Sequence, residues 1–164
     1  MRFQQISILV VDDNPHMRRL LSEILRAIGI GHVFEANDGA EGLDILRRQT
    51  IDIIMTDLSM EPLDGIDFVR LLRNSPDSRS PMIPVIMITG HSTMARVAEA
   101  RDAGVDEFLS KPVTVRGVLQ RLGQVVDHPR PYIRCDGYFG PDRRRRADPD
   151  YVGPKRRLTD QKKK

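Results

Sequence analysis

Tryptophan is absent from the 164-residue chain, tyrosine occurs three times, and cysteine occurs once, as Cys135. A lone cysteine cannot close an internal disulfide. That excludes a disulfide-stapled secreted scaffold and points to a reducing, cytoplasmic setting. No apolar run approaches the roughly 18 residues that a membrane-spanning helix needs. The first residues lack the long apolar stretch and small-residue cleavage site of a secretory signal, so no export signal is expected. What is present, 40% apolar and 30% charged residues, suits one modest core under a charged surface.

The net charge of +3 hides an uneven distribution. Residues 1–127 hold 14 basic and 18 acidic side chains, net −4, whereas residues 128–164 hold 12 basic and 5 acidic, net +7. The second segment also has five prolines and three glycines and few aliphatic side chains. Such a composition buries too little apolar surface to offset an ordering entropy of roughly 1–2 kcal/mol per residue. The expectation is a folded acidic domain over residues 1–127. A basic, mostly extended and disordered tail over 128–164 would follow it, with no second folded domain.

Within the first segment, strands and helices alternate. Residues 6–11, 51–56 and 83–88 are short apolar runs rich in β-branched side chains, ended by Asp12-Asp13, Asp57 and Thr89-Gly90. Residues 32–36 and 105–109 are weaker strand candidates. Near-continuous apolar runs indicate strands covered on both faces, as in a parallel sheet. Between them, Met17, Leu20, Leu21, Ile24, Leu25 and Ile28 form a helical stripe, with Asn14 as its cap, Pro15 at its first position and Gly29 or Gly31 at its end. Asp38 with Glu41 reads as a capping pair for a second helix. Ile66, Phe68, Val69 and Leu72 mark a third, Ala95, Val97 and Ala98 a fourth, and Val115, Val118, Leu119, Leu122 and Val126 a fifth. Five β-α units predict an α/β fold: a doubly wound five-stranded parallel sheet with helices on both faces and ligands at the strand C-termini.

The polar residues collect at those strand ends. Asp12 and Asp13 follow the first strand, Asp57 the third, Thr89 the fourth and Lys111 the fifth. In one parallel sheet they converge despite their separation in sequence. Carboxylates crowded together repel one another, and a divalent cation removes the conflict; oxygen-only ligation suits Mg²⁺. Lys111 adds a fixed positive charge and Thr89 a hydroxyl donor. The set makes an electrophilic pocket around one carboxylate, the arrangement that phosphoryl transfer to an aspartate requires. Each residue alone has a plainer reading: Asp12-Asp13 before Asn14-Pro15 as a helix start, Asp57 and Thr89-Gly90 as turn residues, Lys111-Pro112 as a helix start with a cis bond. Their joint occurrence at successive strand ends carries the argument.

The combination of Val10-Val11-Asp12-Asp13-Asn14, Asp57-Leu58-Ser59-Met60, Asp64-Gly65, Thr89-Gly90 and Phe108-Leu109-Ser110-Lys111-Pro112 resembles the receiver domain of two-component response regulators. The resemblance covers residues 5–127 and implies a flavodoxin-like sheet of order 2-1-3-4-5. It implies Asp57 as acceptor of a phosphoryl group from a histidine kinase or histidine phosphotransfer protein. Asp12, Asp13, Asp57 and the main-chain carbonyl of Ser59 would hold Mg²⁺, and Thr89 and Lys111 would bind the phosphoryl oxygens. Thr89 and Phe108 would form the switch. Ser59 and His91 match positions that tune hydrolysis of the acyl phosphate; the plainer reading of His91 is an exposed helix-start residue. The implied chemistry is self-phosphorylation and self-dephosphorylation only, so the chain is not an enzyme acting on a separate substrate. The implied output is a downstream protein partner docking on the face of the fourth helix, fifth strand and fifth helix. One departure is Met60-Glu61, with Pro62 one place later, where the family commonly has Met-Pro.

The tail is less informative. It contains an imperfect repeat, Gly140-Pro141-Asp142-Arg143-Arg144 and Gly153-Pro154-Lys155-Arg156-Arg157, and aromatics at Tyr132, Tyr138, Phe139 and Tyr151. Four readings stand together: docking onto a partner or the acidic domain, nucleic-acid binding through phosphate contacts and stacking, attraction to an anionic surface, or a solvated tail. The alternative to a docking regulator is therefore a nucleic-acid-associated one.

Overall fold

A computed structural model describes residues 3–143. A short 3-10 turn precedes β1 (Ser7–Val11), α1 (Pro15–Ala27), β2 (His32–Ala36), α2 (Gly39–Arg48), β3 (Ile53–Asp57), α3 (Gly65–Asn74), β4 (Val85–Thr89), α4 (Met94–Ala103), β5 (Glu107–Ser110) and α5 (Val115–Asp127). The five strands pair in parallel in the order β2-β1-β3-β4-β5, as expected. Alternate side chains of each strand feed two cores, because successive residues of a strand point to opposite faces. Leu9, Val11, Ile54, Val85 and Met87 pack with Phe68, Val69, Leu72 and Ala100, on the side of α2, α3 and α4. Ile8, Val10, Ile53, Met55, Ile86 and Ile88 pack with Leu21, Leu25, Val118 and Leu122 of α1 and α5. Each fully buried aliphatic side chain stabilises the fold by about 1.5–3 kcal/mol relative to exposure.

Every helix starts on a side-chain cap. Asn14 accepts from the amides of His16 and Met17, Asp38 from Glu41, Asp64 from Asp67, Thr93 from Arg96 and Thr114 from Gly117. These bonds satisfy amide donors that the first turn leaves free. Glu41 returns a bond to the amide of Asn37, 2.7 Å away. The caps pin each strand-to-helix turn, and those turns carry the polar residues.

Some expectations need correction. Strands β3 and β4 begin two residues later than the apolar runs suggest, at Ile53 and Val85. Just before β3, Asp52 is taken up in bonding the amide of Ser7 at 2.8 Å, and before β4 Pro84 has no amide to donate. In α4 the buried residues are Ala100 and Ala103, whereas Ala95 and Ala98 are exposed. Alanine is too small to define a stripe by itself, so spacing misplaced the face. Leu20 of α1 is also exposed.

The largest correction concerns residues 128–164, expected to be extended. Residues 132–141 instead form an antiparallel hairpin, β6 (Tyr132–Cys135) and β7 (Tyr138–Pro141). Gly137, at φ 73°, supplies the left-handed backbone of its two-residue turn. Among the described residues the hairpin contributes to neither core. It folds onto a surface that the main domain prepares. Arg73 of α3 is fully buried and donates to the carbonyls of Pro81, Ile83 and Gly104 and to Asp106. Tyr132 closes this site: its ring lies 5.0 Å from the guanidinium, and its hydroxyl is shared between Asp106 at 2.9 Å and the Ile83 carbonyl at 3.3 Å. Burial pushes the Tyr132 hydroxyl's pKa well up, so it remains a donor. Composition tests whether a segment folds alone; here the partner surface supplies the missing contacts. Residues 140–143 of the first repeat copy are described, whereas Arg144, the second copy and Tyr151 lie outside the described residues.

Candidate functional site

The strand C-termini place the polar residues along one edge. Asp57 is the last residue of β3, Thr89 the last of β4, and Asp12 and Lys111 follow β1 and β5 directly. Asp12, Asp13 and Asp57 each offer a carboxylate oxygen within 4.8 Å of the others. Lys111 Nζ lies 2.9 Å from Asp57 Oδ1. A backbone bond of 2.8 Å from the Lys111 amide to the Thr89 carbonyl sets the two side by side. The Lys111-Pro112 peptide bond is cis.

The three carboxylates differ in environment. Asp13 is exposed and accepts from the Glu61 amide at 3.3 Å. Asp57 is buried, with Lys111 as its counter-charge. Asp12 is buried as well, and its Oδ1 accepts from the Asn14 amide at 2.8 Å. Its Oδ2 is buried without a hydrogen-bond partner. Burial pushes the Asp12 pKa up to about 6; the Asn14 amide opposes this, and the Asp57 charge adds to it. A buried acceptor left unpaired costs about 1–3 kcal/mol. A hard divalent cation would satisfy that oxygen and relieve the repulsion. The donor set, oxygen only and partly open to solvent through Asp13, fits such an ion.

The loop after β3 doubles back tightly. The Gly65 amide bonds the Leu58 carbonyl at 3.0 Å, and a Cβ at Gly65 would lie 2.1 Å from the Asp57 carbonyl oxygen. No other residue type fits there without moving Asp57. Ser59 is exposed in this loop, two residues after Asp57. His91 is exposed two residues after Thr89. Phe108 is half-buried against the core on the α2–α4 side. The Thr89 hydroxyl bonds Gly90 and Ser92 rather than the carboxylates. The structure thus brings Asp12, Asp13, Asp57 and Lys111 together, with Thr89 on the adjoining strand, while Phe108 lies away from them in the sheet.

Sequence reasoning missed two features near this edge. One is Ser92, 2.8 Å from the Thr89 hydroxyl. The other is a charge network in which Arg96 of α4 bonds Asp64, the α3 cap, at 2.8 Å, and Arg70 of α3 bonds Glu99 at 2.9 Å. Burial raises the Asp64 pKa, but the Asp67 amide and Arg96 outweigh it and hold the carboxyl below its usual range. The Arg96–Glu99 spacing is a visible helical pair, but nothing local announces its partner on α3.

The model of the response regulator receiver domain matches residues 8–123. The chain belongs to this family. It is 33% identical over 122 residues to the chemotaxis protein CheY of Pseudomonas aeruginosa, spanning 74% of this chain and 97% of that one. It is 32% identical over 124 residues to the chemotaxis protein CheY-3 of Vibrio cholerae, spanning 76% and 94%. The solved structure of Vibrio cholerae CheY4 superposes with a TM-score of 0.68 at 28% identity, over 73% of this chain and 98% of that one. The protein is a phospho-accepting receiver of two-component signal transduction. The matched region ends before the β6–β7 hairpin, which is an addition to the receiver. Among the described residues no helix is long and apolar enough to cross a membrane.

Proposed function

We propose that Asp57 is the phospho-acceptor, and that its carboxylate takes the phosphoryl group from a phosphohistidine on a histidine kinase or phosphotransfer protein. In the transfer a bond forms between Asp57 oxygen and phosphorus, the phosphorus–nitrogen bond breaks, and the imidazole leaves. The observation that carries this reading is the 2.9 Å contact of Lys111 with Asp57 inside a three-carboxylate cluster. Lys111 orients the carboxylate and then shares the charge of the incoming oxygens. Asp12, Asp13, Asp57 and the Ser59 carbonyl would hold Mg²⁺. When bound, the ion neutralises the phosphoryl oxygens. Thr89 donates its hydroxyl to a phosphoryl oxygen after transfer, and Phe108 moves with it as the switch. Ser59 and His91 border the path of the attacking water and tune the acyl phosphate's lifetime. The chemistry ends on the protein itself, with no turnover of a separate substrate.

Output is docking of a protein partner on the α4–β5–α5 face, where Met94, Val115 and Leu119 are exposed. The phosphoryl group adds about −1.5 to −2 charges, enough to bias such a surface between two states. The nucleic-acid alternative rests mainly on tail residues outside those described, and the family relationship favours the phospho-accepting reading.

The test is incorporation of phosphate from a small phosphodonor with Mg²⁺. The native chain labels and Asp57→Ala does not; equal labelling of Asp57→Ala would overturn the assignment.

A further inference from the structure

The resting hydroxyl of Thr89 is already engaged. Its oxygen lies 2.8 Å from Ser92 Oγ and 3.3 Å from the Gly90 carbonyl. The first distance is near the optimum for an O–H···O bond and the second is long, so the pairing with Ser92 is the stronger. The Ser92 amide itself donates to the Gly90 carbonyl at 3.0 Å, which fixes the turn carrying the serine. Thr89 is β-branched and buried at 8% exposure, so few rotamers are open to it. In this arrangement it makes no bond to Asp57. Either hydroxyl of the Thr89–Ser92 pair can be the donor, and in both cases the pairing fixes where the Thr89 oxygen sits.

We propose that Ser92 is a positioning residue that holds the Thr89 hydroxyl in the resting arrangement and competes for it with a phosphoryl group on Asp57. The proposal rests on the reading of Asp57 and Thr89 given above. Ser92 contacts no reacting atom; it acts through Thr89. It also directly precedes Thr93, the cap of α4. Departure of the Thr89 hydroxyl therefore frees a partner at the start of the helix that contributes to the output face. Removing the serine hydroxyl leaves Thr89 only the long bond to Gly90. Given the usual net worth of one hydrogen bond, the equilibrium shifts toward the phosphoryl-bound arrangement by about two- to tenfold.

The experiment is calorimetric titration of the full chain with beryllofluoride, a phosphoryl mimic, in the presence of Mg²⁺. Ser92→Ala is expected to bind about two- to tenfold more tightly, and Ser92→Thr, which keeps a hydroxyl, to return to native affinity. In a Thr89→Ala background, Ser92→Ala is expected to change nothing. If Thr89→Ala weakens binding but Ser92→Ala leaves affinity unchanged or weaker, the role of Ser92 is overturned while that of Thr89 stands. The role of Ser92 falls equally if Ser92→Ala tightens binding to the same extent without Thr89. Native affinity in Thr89→Ala would instead remove the reading on which the proposal rests.

Discussion

Asp12 gives the site a pH dependence whose sign can be worked out. Its pKa rises from an ordinary 3.8 to about 6 in the folded protein, chiefly through burial. The folded state therefore holds this proton more tightly than the unfolded one. The stabilisation is fully present below about pH 4 and is lost as pH rises through about 6. In metal-free protein, thermal unfolding from pH 4 to 7 should show this decline, and Asp12→Asn should flatten it and raise the melting temperature near neutrality. Added Mg²⁺ should stabilise the native chain and not the variant. Gly65→Ala is a second test at this scale. Its Cβ would meet the Asp57 carbonyl at 2.1 Å, so a loss of about 1–3 kcal/mol in urea denaturation is expected. Phosphate acceptance should fall with it, because the backbone that must give way is that of Asp57. The positions of Asp12, Asp13, Asp57 and Thr89 at strand ends were legible because each closes an apolar run, and that of Lys111 because it follows the weaker fifth strand. Ser92 was not, because its pairing with Thr89 depends on how the intervening turn closes.

Among the elements, the hairpin departs furthest from expectation. Tyr132→Phe keeps the ring over Arg73 and removes the hydroxyl bond to Asp106. A destabilisation of about 1–2 kcal/mol is expected from urea unfolding. No change would mean that the hydroxyl is incidental to docking. A local signal was available: Asp136-Gly137 between Tyr132-Ile133 and Tyr138-Phe139 is a strong turn pattern. Charge and proline content outweighed it, since they describe a segment in isolation. Strands β1, β3 and β4 were legible because both their faces are buried and their runs are almost wholly apolar, whereas β2 and β5, partly exposed and carrying Glu35 and Glu107, gave weaker signals. Helix α4 was legible as an element but not in orientation. It is held by Arg96 to Asp64 and Arg70 to Glu99 as much as by its alanines, and ion pairs between elements leave no periodic trace.

At the scale of the whole molecule, the sheet separates two cores and the hairpin closes one end of the α3–α4 side. All three tyrosines lie beyond residue 127, and there is no tryptophan. Intrinsic tyrosine fluorescence is therefore blind to the receiver and sensitive to the segment attached to it. Because Tyr132 seals a buried ion pair of the receiver, fluorescence and far-ultraviolet circular dichroism should give one coincident urea transition. An earlier fluorescence transition would show that the hairpin detaches before the sheet unfolds.

The seal over Arg73 and Asp106 also limits where this appendage could be transplanted. Grafted onto a related receiver, residues 128–143 should settle only where an arginine and an aspartate occupy the equivalent places and a glycine stands opposite Gly140, which here lies against Gly104. Any other host would offer the two aromatic strands no lock to fit, so the motif belongs to its own scaffold and is no interchangeable cassette.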